Sequence, residues 1–298
     1  MSHPIASGSE AQAAVGLLTW SFEPAVTIPV TVAAVVYGCG WVRIRQRLPE
    51  RFGARRPAAF AAGLGAIVLA LCSPIDAAGA HLLRAHMVQH MLLMLVAPPL
   101  LWAGAPLAPL LLGLPLRLRR AVAAGLAAAP VRRFLTFLTH PTTSWVAFAA
   151  AFWIWHFPAI YEVALASDRW HHVEHLCFFV TAMLFWRPVI LAWPARSPWP
   201  RWAMVPYLLL AELQNTILAA ILSFSDRVIY PTYAALPPAG ALSALEDQSL
   251  AGVIMWMPGS IAFLVPLLWL VFTTIAAPRA EQRLEAQPAW RKEIEGSR

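Results

Sequence analysis

The sequence predicts an all-α polytopic membrane protein: a bundle of seven transmembrane helices, with the N-terminus outside and the C-terminus in the cytoplasm. Of its 298 residues, 59% are hydrophobic and only 12% are charged, whereas a soluble domain averages about 25% charged residues. Apolar stretches long enough to cross a bilayer, about 20 residues each, recur along the chain. The basic residues fall between these stretches, so the net charge of +7 does not indicate a nucleic-acid partner.

The apolar stretches define the helices in chain order. We expect transmembrane helices at 24–43, 57–73, 84–104, 142–160, 171–192, 203–224 and 250–274. They form one domain over 24–277, between a periplasmic N-terminal segment at 1–23 and a charged cytoplasmic tail at 278–298. Segment 1–23 shows no basic start followed by an apolar core, so we expect no cleaved signal peptide. The three cysteines all lie in apolar stretches, and we expect small buried side chains rather than disulfides.

Residues 105–135 allow two interpretations. Residues 105–114 are apolar but too short to span a bilayer, and a basic stretch follows them. We favour an interfacial or re-entrant segment, followed by an amphipathic stretch that lies on the membrane surface. The alternative is an eighth transmembrane helix, which would upset the alternation of sides. The arginines of this stretch are Arg117, Arg119, Arg120, Arg132 and Arg133.

The distribution of basic residues predicts the orientation, because cytoplasmic loops carry an excess of Lys and Arg. All but three of the 22 basic residues lie in the loops after the first, third and fifth helices and in the C-terminal tail. The alternate loops hold one basic residue each, namely Arg84, Arg169 and Arg227. Seven helices is the count that makes this alternation work.

Histidines gather at the outer ends of three predicted helices. His86 and His90 begin the third helix, and His156 ends the fourth. The fifth helix begins with His171, His172 and His175, of which the first and last share one face because they are four residues apart. With His86 at zero on its helix, His90 lies at about 40°, Met94 at about 80°, Met87 at about 100° and Met91 at about 140°. Imidazoles and thioethers therefore share less than half of that helix's circumference.

Imidazole with thioether is a ligand set that suits copper, and thioether suits Cu(I) in particular. The sequence therefore predicts a copper site open to the periplasm between the third, fourth and fifth helices. Packing is the alternative for the methionines, and it is the favoured interpretation for Met255. The first-choice ligands are His86, His90, His171 and His175; next come His156 and Met87; Met94, His172 and Met255 are further candidates.

Several other polar residues are assigned supporting roles. Glu174 is expected to point away from the histidine pair beside it and to orient an imidazole on an adjacent helix. Gln89 and Asp247 are placed in the same outer layer. Glu212 shares a helix face with Asn215 near mid-membrane, and it is either a functional ionisable group or part of a polar clamp between helices.

A set of short motifs resembles the CtaG family of cytochrome c oxidase assembly factors. The blocks run in the family's order from the third to the seventh helix, while the first two helices match only in character. They are His86-x-x-Gln89-His90, Pro98-Pro99-Leu100, Trp155-His156-x-Pro158 with Tyr161, His171-x-x-x-His175, Phe185-Trp186, Tyr230-Pro231-x-Tyr233, Asp247-Gln248-x-Leu250-Ala251-Gly252 and Met255-Trp256-x-Pro258-Gly259.

The resemblance implies a multi-spanning protein of the bacterial inner membrane that helps to make functional haem-copper oxidase by supplying copper. The implied partners are cytochrome c oxidase subunits or a periplasmic copper chaperone, besides membrane lipids. Ligand exchange between two metal sites needs no catalytic acid or base, so we expect a protein that is not an enzyme. Two alternatives remain open: a b-type haem protein with axial histidines on facing helices, and a transporter of copper or protons with Glu212 and Met257 as mid-membrane stations.

Overall fold

The computed structural model describes residues 19–191, 197–236 and 242–285, with side chains up to residue 274, and every regular element in these ranges is helical. The N-terminal half contains α1 Pro24–Arg45, α2 Arg55–Cys72, α3 Pro74–Gly79, α4 Leu83–Met91, a π-helical segment Leu92–Val96, α5 Ala97–Ala103, α6 Leu107–Gly113, α7 Leu116–Ala127 and α8 Ala129–Leu138. The C-terminal half contains α9 Pro141–His156, α10 Pro158–Leu165, α11 Asp168–Ile190, a 3₁₀ turn Arg201–Ala203, α12 Met204–Phe224, α13 Pro231–Ala235 and α14 Ala244–Glu285.

Six helices of the described part are long and apolar enough to cross a membrane. Two further pairs, α7 with α8 and α9 with α10, reach that length only across bends of 73° and 75°. The chain is therefore a polytopic membrane protein with six to eight candidate spans. Our count of seven and the orientation of the termini stay predictions. Most of segment 1–23 and of the tail 278–298 lies outside the described residues.

The fourth predicted helix, 142–160, differs from the structure. It ends at His156, and α10 begins at Pro158 after the 75° bend. The reason is local: proline has no N–H to donate and its ring clashes with the preceding turn, so it kinks or breaks a helix in its interior and fits best in the first turn. The break leaves His156 in the last turn of α9.

Residues 105–135 form three short helices. Helix α6 packs directly on α1. The approach is so close that a Cβ on Gly40 would lie only 1.8 Å from the carbonyl oxygen of Pro109. Helices α7 and α8 contain no buried residue. The bend and the lack of burial favour the surface interpretation of this stretch over an eighth straight span.

Tryptophan hydrogen bonds tie the third predicted span to α11. Pro98 has no N–H, so the carbonyl of Met94, one turn earlier, is left without its helical donor. The indole Nε1 of Trp186 fills that position at 2.9 Å. Nearby, Trp102 Nε1 donates to the carbonyl of Met183 at 2.8 Å. The two helices that carry most of the histidines are thus fixed against each other.

Helices α12 and α14 are held together at close range by small and polar residues. A Cβ on Gly259 would meet Asn215 Nδ2 at 2.4 Å, and the Asn215 amide donates to the Met255 carbonyl at 3.2 Å. Glu212 Oε1 accepts hydrogen bonds from Ser260 on α14 and, at 3.0 Å, from Thr216 on its own helix. These contacts favour the polar-clamp interpretation of Glu212.

Candidate metal centre

Three helices bring their histidines together at one end of the bundle. Helix α4 contributes His86 and His90, α11 contributes His171 and His175, and α9 ends in His156. The ring centroid of His86 lies 4.2 Å from that of His90 and 5.2 Å from that of His171. The ring centroids of His90 and His156 are 6.0 Å apart. The structure therefore brings together the five histidines that the sequence ranked highest.

The tightest part of this cluster has four donors: His86, His171, Glu174 and His175. One possible ligand atom from each lies within 4.8 Å of all the others. Four tetrahedral nitrogen or oxygen ligands at about 2.0–2.2 Å from one ion are about 3.3–3.6 Å apart, so these donors would move closer together on binding an ion. We call these four residues the His–Glu cluster. His90 borders it, with Nε2 3.7 Å from Glu174 Oε1.

Several polar atoms in and beside the His–Glu cluster are buried without a hydrogen-bond partner among the described residues. His86 and Glu174 are fully buried, and His90 and His175 nearly so. Among the described residues, neither ring nitrogen of His86 or His90 has a hydrogen-bond partner, and neither oxygen of Glu174 has one. Unpaired buried polar groups cost free energy, and an unpaired buried carboxylate costs more. A cation among them would remove this cost, so the residues present fit a bound metal ion.

His156 is oriented as a metal ligand would be. Its Nδ1 lies 2.7 Å from the carbonyl oxygen of Phe152, one turn earlier, and this acceptor requires the proton to be on Nδ1. Its Nε2, which then carries the lone pair, is buried and finds no hydrogen-bond partner in the part of the chain that the structure describes. A second hydrogen bond of this kind is what fixes the tautomer and direction of metal-binding histidines in proteins.

Glu174 lies close to histidines of both α4 and α11. Its carboxylate lies 4.0 Å from His86 Nε2 and 3.7 Å from His90 Nε2, both on α4. It does face imidazoles of an adjacent helix, as expected of an orienting residue. It is also close enough to three other donor groups to bind an ion itself.

Three tyrosines surround the cluster, although the sequence patterns gave them no chemical role. Tyr161 lies edge-on to the His86 ring at 5.4 Å and stacks on Tyr230 at 4.0 Å. Tyr230 donates to the carbonyl of His156 at 3.1 Å, and Tyr233 donates to the carbonyl of Gly79 at 2.9 Å. All three are buried. The motifs that contain them were visible in the sequence, but their packing against one another beside the cluster was not.

Two of the proposed outer residues fix α4 instead of touching an imidazole. Asp247 on α14 accepts from the Leu83 N–H at 2.7 Å and pairs with the Arg84 guanidinium, at the first turn of α4. Gln89 donates to the Ala70 carbonyl at 3.0 Å and to Asp76 at 2.6 Å. Burial raises the pKa of the Asp76 carboxyl, while the hydrogen bond from Gln89 lowers it. Both residues therefore position the helix that carries His86 and His90.

The remaining candidates are one exposed histidine and three buried methionines, and metal binding by these methionines stays a prediction. His172 is exposed, and its Nε2 lies 3.4 Å from Glu23, on the side of α11 away from the cluster. Met87, Met94 and Met255 are buried in the main apolar core. Met94 also lines a small cavity of about 20 Å³ together with Met91 and Gln214. Met257, the proposed transport station, is 63% exposed on the outside of the bundle.

Fold and site together define a class: a polytopic α-helical membrane protein with a buried cluster of histidines and one carboxylate between its helices. The chain belongs to the family described as cytochrome c oxidase caa3 assembly factor (Caa3_CtaG), whose model matches residues 35–277. The resemblance seen in the motifs is thereby confirmed, and the family is one of oxidase assembly factors.

Similar proteins occur in mycobacteria. Uncharacterized proteins of Mycobacterium bovis and Mycobacterium tuberculosis are each 26% identical over 257 residues, which is 80% of this chain and 37% of theirs. One from Mycobacterium leprae is 24% identical over 269 residues, 85% of this chain and 39% of its own. The chain thus spans less than two-fifths of these relatives. No solved structure matches it.

Proposed function

We propose that this protein assists the assembly of a haem-copper oxidase in the bacterial inner membrane by binding copper in the His–Glu cluster and passing it on. The recipient is an oxidase subunit or a periplasmic copper chaperone. The observation that carries the proposal is the set of buried imidazole and carboxylate atoms without hydrogen-bond partners. An assembly factor for a copper-containing enzyme has a direct use for such a set.

The donor types fit copper. Sites made of nitrogen and oxygen ligands bind Cu(II) more tightly than the other common divalent metals of the first transition row. His86, His171, His175 and Glu174 would hold the ion, and His90 and His156 offer further nitrogens beside them. The sequence allowed Cu(I) or Cu(II), with the thioethers favouring Cu(I), whereas the His–Glu cluster supports a larger share for imidazole and carboxylate.

The path of the cargo follows from exposure. His171 is the only partly exposed member of the His–Glu cluster, while the other three members are buried. An ion from outside would meet His171 first and reach His86 by exchanging one imidazole for the next. Each exchange replaces one ligand with a similar one, so the transfer needs no catalytic acid or base. The proposed role is therefore not enzymatic.

The packing of the rings argues against a haem site. The centroids of His86 and His90, and also those of His171 and His175, are 4.2 Å apart. A porphyrin needs a flat slot between two axial ligands on facing helices, and Glu174 fills the space between α4 and α11. A transport path through Glu212 is not favoured either, because its hydrogen bonds hold α12 to α14.

The decisive experiment compares two histidines of the same helix. His175→Ala removes a cluster member, whereas His172→Ala removes an exposed imidazole outside the cluster. Elemental analysis of the purified proteins should show copper lost from the first variant and retained in the second. Adding His86→Ala to His175→Ala should cost little more, because groups that act as one unit are not additive. Equal copper contents in the two single variants would refute the site.

The cellular role has its own test. Cells that lack the protein should make oxidase apoprotein of low activity, and added external copper should restore part of that activity. The His175→Ala variant should behave like the deletion in copper-poor medium, while His172→Ala should behave like wild type. An oxidase defect that is unchanged at every copper concentration would show that the protein helps assembly without supplying copper.

A further inference from the structure

A recess of about 530 Å³ lies at the opposite end of α9 from the His–Glu cluster. We call it the basic recess; its lining residues are Arg132, Arg133, Thr136, Phe137, His140, Thr142 and Thr143. It is formed between α8 and the first turn of α9. Helix α9 has 16 residues, so the recess and His156 are separated by about 24 Å, at 1.5 Å per residue.

The lining of the recess is suited to an anion. Among the described residues, neither Arg132 nor Arg133 pairs with a carboxylate. The sequence contains no acidic residue at all between Asp76 and Glu162. The positive charge of this part of the chain is therefore not neutralised locally, and arginine is well suited to bind phosphate with two parallel N–H groups.

Hydrogen-bond donors other than the arginines also line the recess. His140 Nδ1 accepts the N–H of Thr142 at 3.3 Å, which places the ring proton on Nε2 as a donor. The hydroxyls of Thr136, Thr142 and Thr143 can donate as well. The recess also adjoins the start of α9, and the N-terminal end of a helix favours negative charge.

The shape of α8 places the recess at the surface of a membrane. Within α8, the arginines and Thr136 lie on one side, while Val131, Phe134 and Leu135 lie on the other at helical spacing. The described part of the protein leaves this apolar side exposed: Phe134 is 60% exposed, Val131 39% and Leu135 37%. A helix with one exposed apolar side and one arginine side lies in the interface, with its apolar side toward the acyl chains.

We propose that the basic recess binds the phosphate headgroup of an anionic phospholipid, and that α8 lies along the membrane surface beside it. The exposed apolar side of α8 meets the acyl chains of the same lipid layer, which is why a lipid rather than a free anion is the occupant. Basic pockets at the cytoplasmic surface are known to hold anionic headgroups. The arginine distribution predicts that same side for this part of the chain. The proposal does not depend on copper binding.

The test uses the full-length purified protein and native mass spectrometry in detergent with added dioleoyl phosphatidylglycerol or dioleoyl phosphatidylcholine. The variant Arg132→Gln/Arg133→Gln removes two charges from the recess. The matched control, Arg117→Gln/Arg120→Gln, removes two charges from α7, outside the recess lining. We expect the first variant to bind phosphatidylglycerol about tenfold or more weakly, since each basic residue near a surface contributes about 1 kcal/mol. The control should bind it like wild type, and phosphatidylcholine should bind weakly to all.

Other outcomes would overturn the proposal. Equal losses in both double variants would mean diffuse attraction by net charge and no site. Complete displacement of phosphatidylglycerol by millimolar inorganic phosphate would mean a site for a free anion. Unchanged lipid binding, with loss of oxidase subunits from the purified complex, would assign the surface to a protein partner. If the double variant does not fold, Thr136→Val and Arg133→Lys keep the helix and should still weaken the lipid complex.

Discussion

Replacement of Glu174 by glutamine gives the sharpest test of the His–Glu cluster. The change keeps the shape of the side chain and removes its negative charge. In the structure the carboxylate is fully buried, 4.0 Å and 3.7 Å from the Nε2 atoms of His86 and His90. A carboxylate and one unit of positive charge on a bound ion, about 4 Å apart, attract each other by about 4 kcal/mol at an effective dielectric constant of about 20. Loss of a direct or supporting group in metal sites lowers affinity about 10–100-fold in practice.

The effect on the metal-free protein should have the opposite sign. A buried carboxylate without hydrogen bonds costs free energy when no cation is near it. Glutamine carries no charge and can donate to a neighbouring imidazole, so Glu174→Gln should raise the thermal midpoint of the metal-free protein. An ion-pair role that serves only folding would give the reverse, because removing one partner of a buried pair destabilises the protein.

The effects of Glu174→Gln on copper affinity and on thermal stability can be measured on one preparation. Copper affinity follows from competition with a chelator of known affinity, and stability follows from thermal unfolding in detergent with and without copper. The matched control is Glu162→Gln, because Glu162 accepts from the Thr232 backbone N–H at 3.2 Å and from its hydroxyl, outside the cluster. We expect the control to keep the wild-type copper affinity. A Glu174→Gln protein with wild-type affinity would refute the assignment of Glu174 to the metal.

Three further predictions follow from the same structure. Asp247→Ala should lower the free energy of unfolding by about 1–3 kcal/mol, because it leaves the Leu83 N–H and the Arg84 guanidinium without their acceptor; denaturation followed by circular dichroism would show it, and an unchanged midpoint would contradict it. Copper retention should fall as the pH is lowered, because protons compete with the metal for the imidazole nitrogens; a flat profile by elemental analysis would mean that thioethers hold the metal. Impermeant thiol reagents should label Arg51→Cys and Asp226→Cys from opposite sides of the membrane, and labelling of both from one side would rule out seven helices.

The candidate spans were predictable because a helix that crosses a bilayer needs about 20 apolar residues, and such stretches can be recognised in the sequence. The turn spacing of His86 with His90 and of His171 with His175 likewise placed each pair on one side of its own helix. The spacing cannot show which neighbouring helix the histidine side of each helix contacts. That information depends on the packing of α4 against α11, which the Trp186 bond to the Met94 carbonyl helps to fix.

Glu174 shows the limit of single-helix reasoning. It precedes His175 by one residue and therefore lies about 100° away on the helix, which suggested that it points elsewhere. In the folded protein α4 lies between these two directions, so His86 and His90 face both Glu174 and His175. For His172, also one residue from a cluster histidine, the same displacement leads outward to Glu23.

The supports of the His–Glu cluster determine where copper would have to leave. Toward the middle of the bundle, α4 continues into the π-helical segment and is tied to α11 through Trp186. At the other end, Asp247 holds the first turn of α4, and Tyr233 and Tyr230 hold the backbone at Gly79 and His156. Donors fixed in this way lose little freedom when they bind an ion, which favours tight binding. Release must then begin at His171, which is partly exposed in the first turn of α11, where helices open most easily. A recipient of the copper would therefore engage the protein at that end of α11.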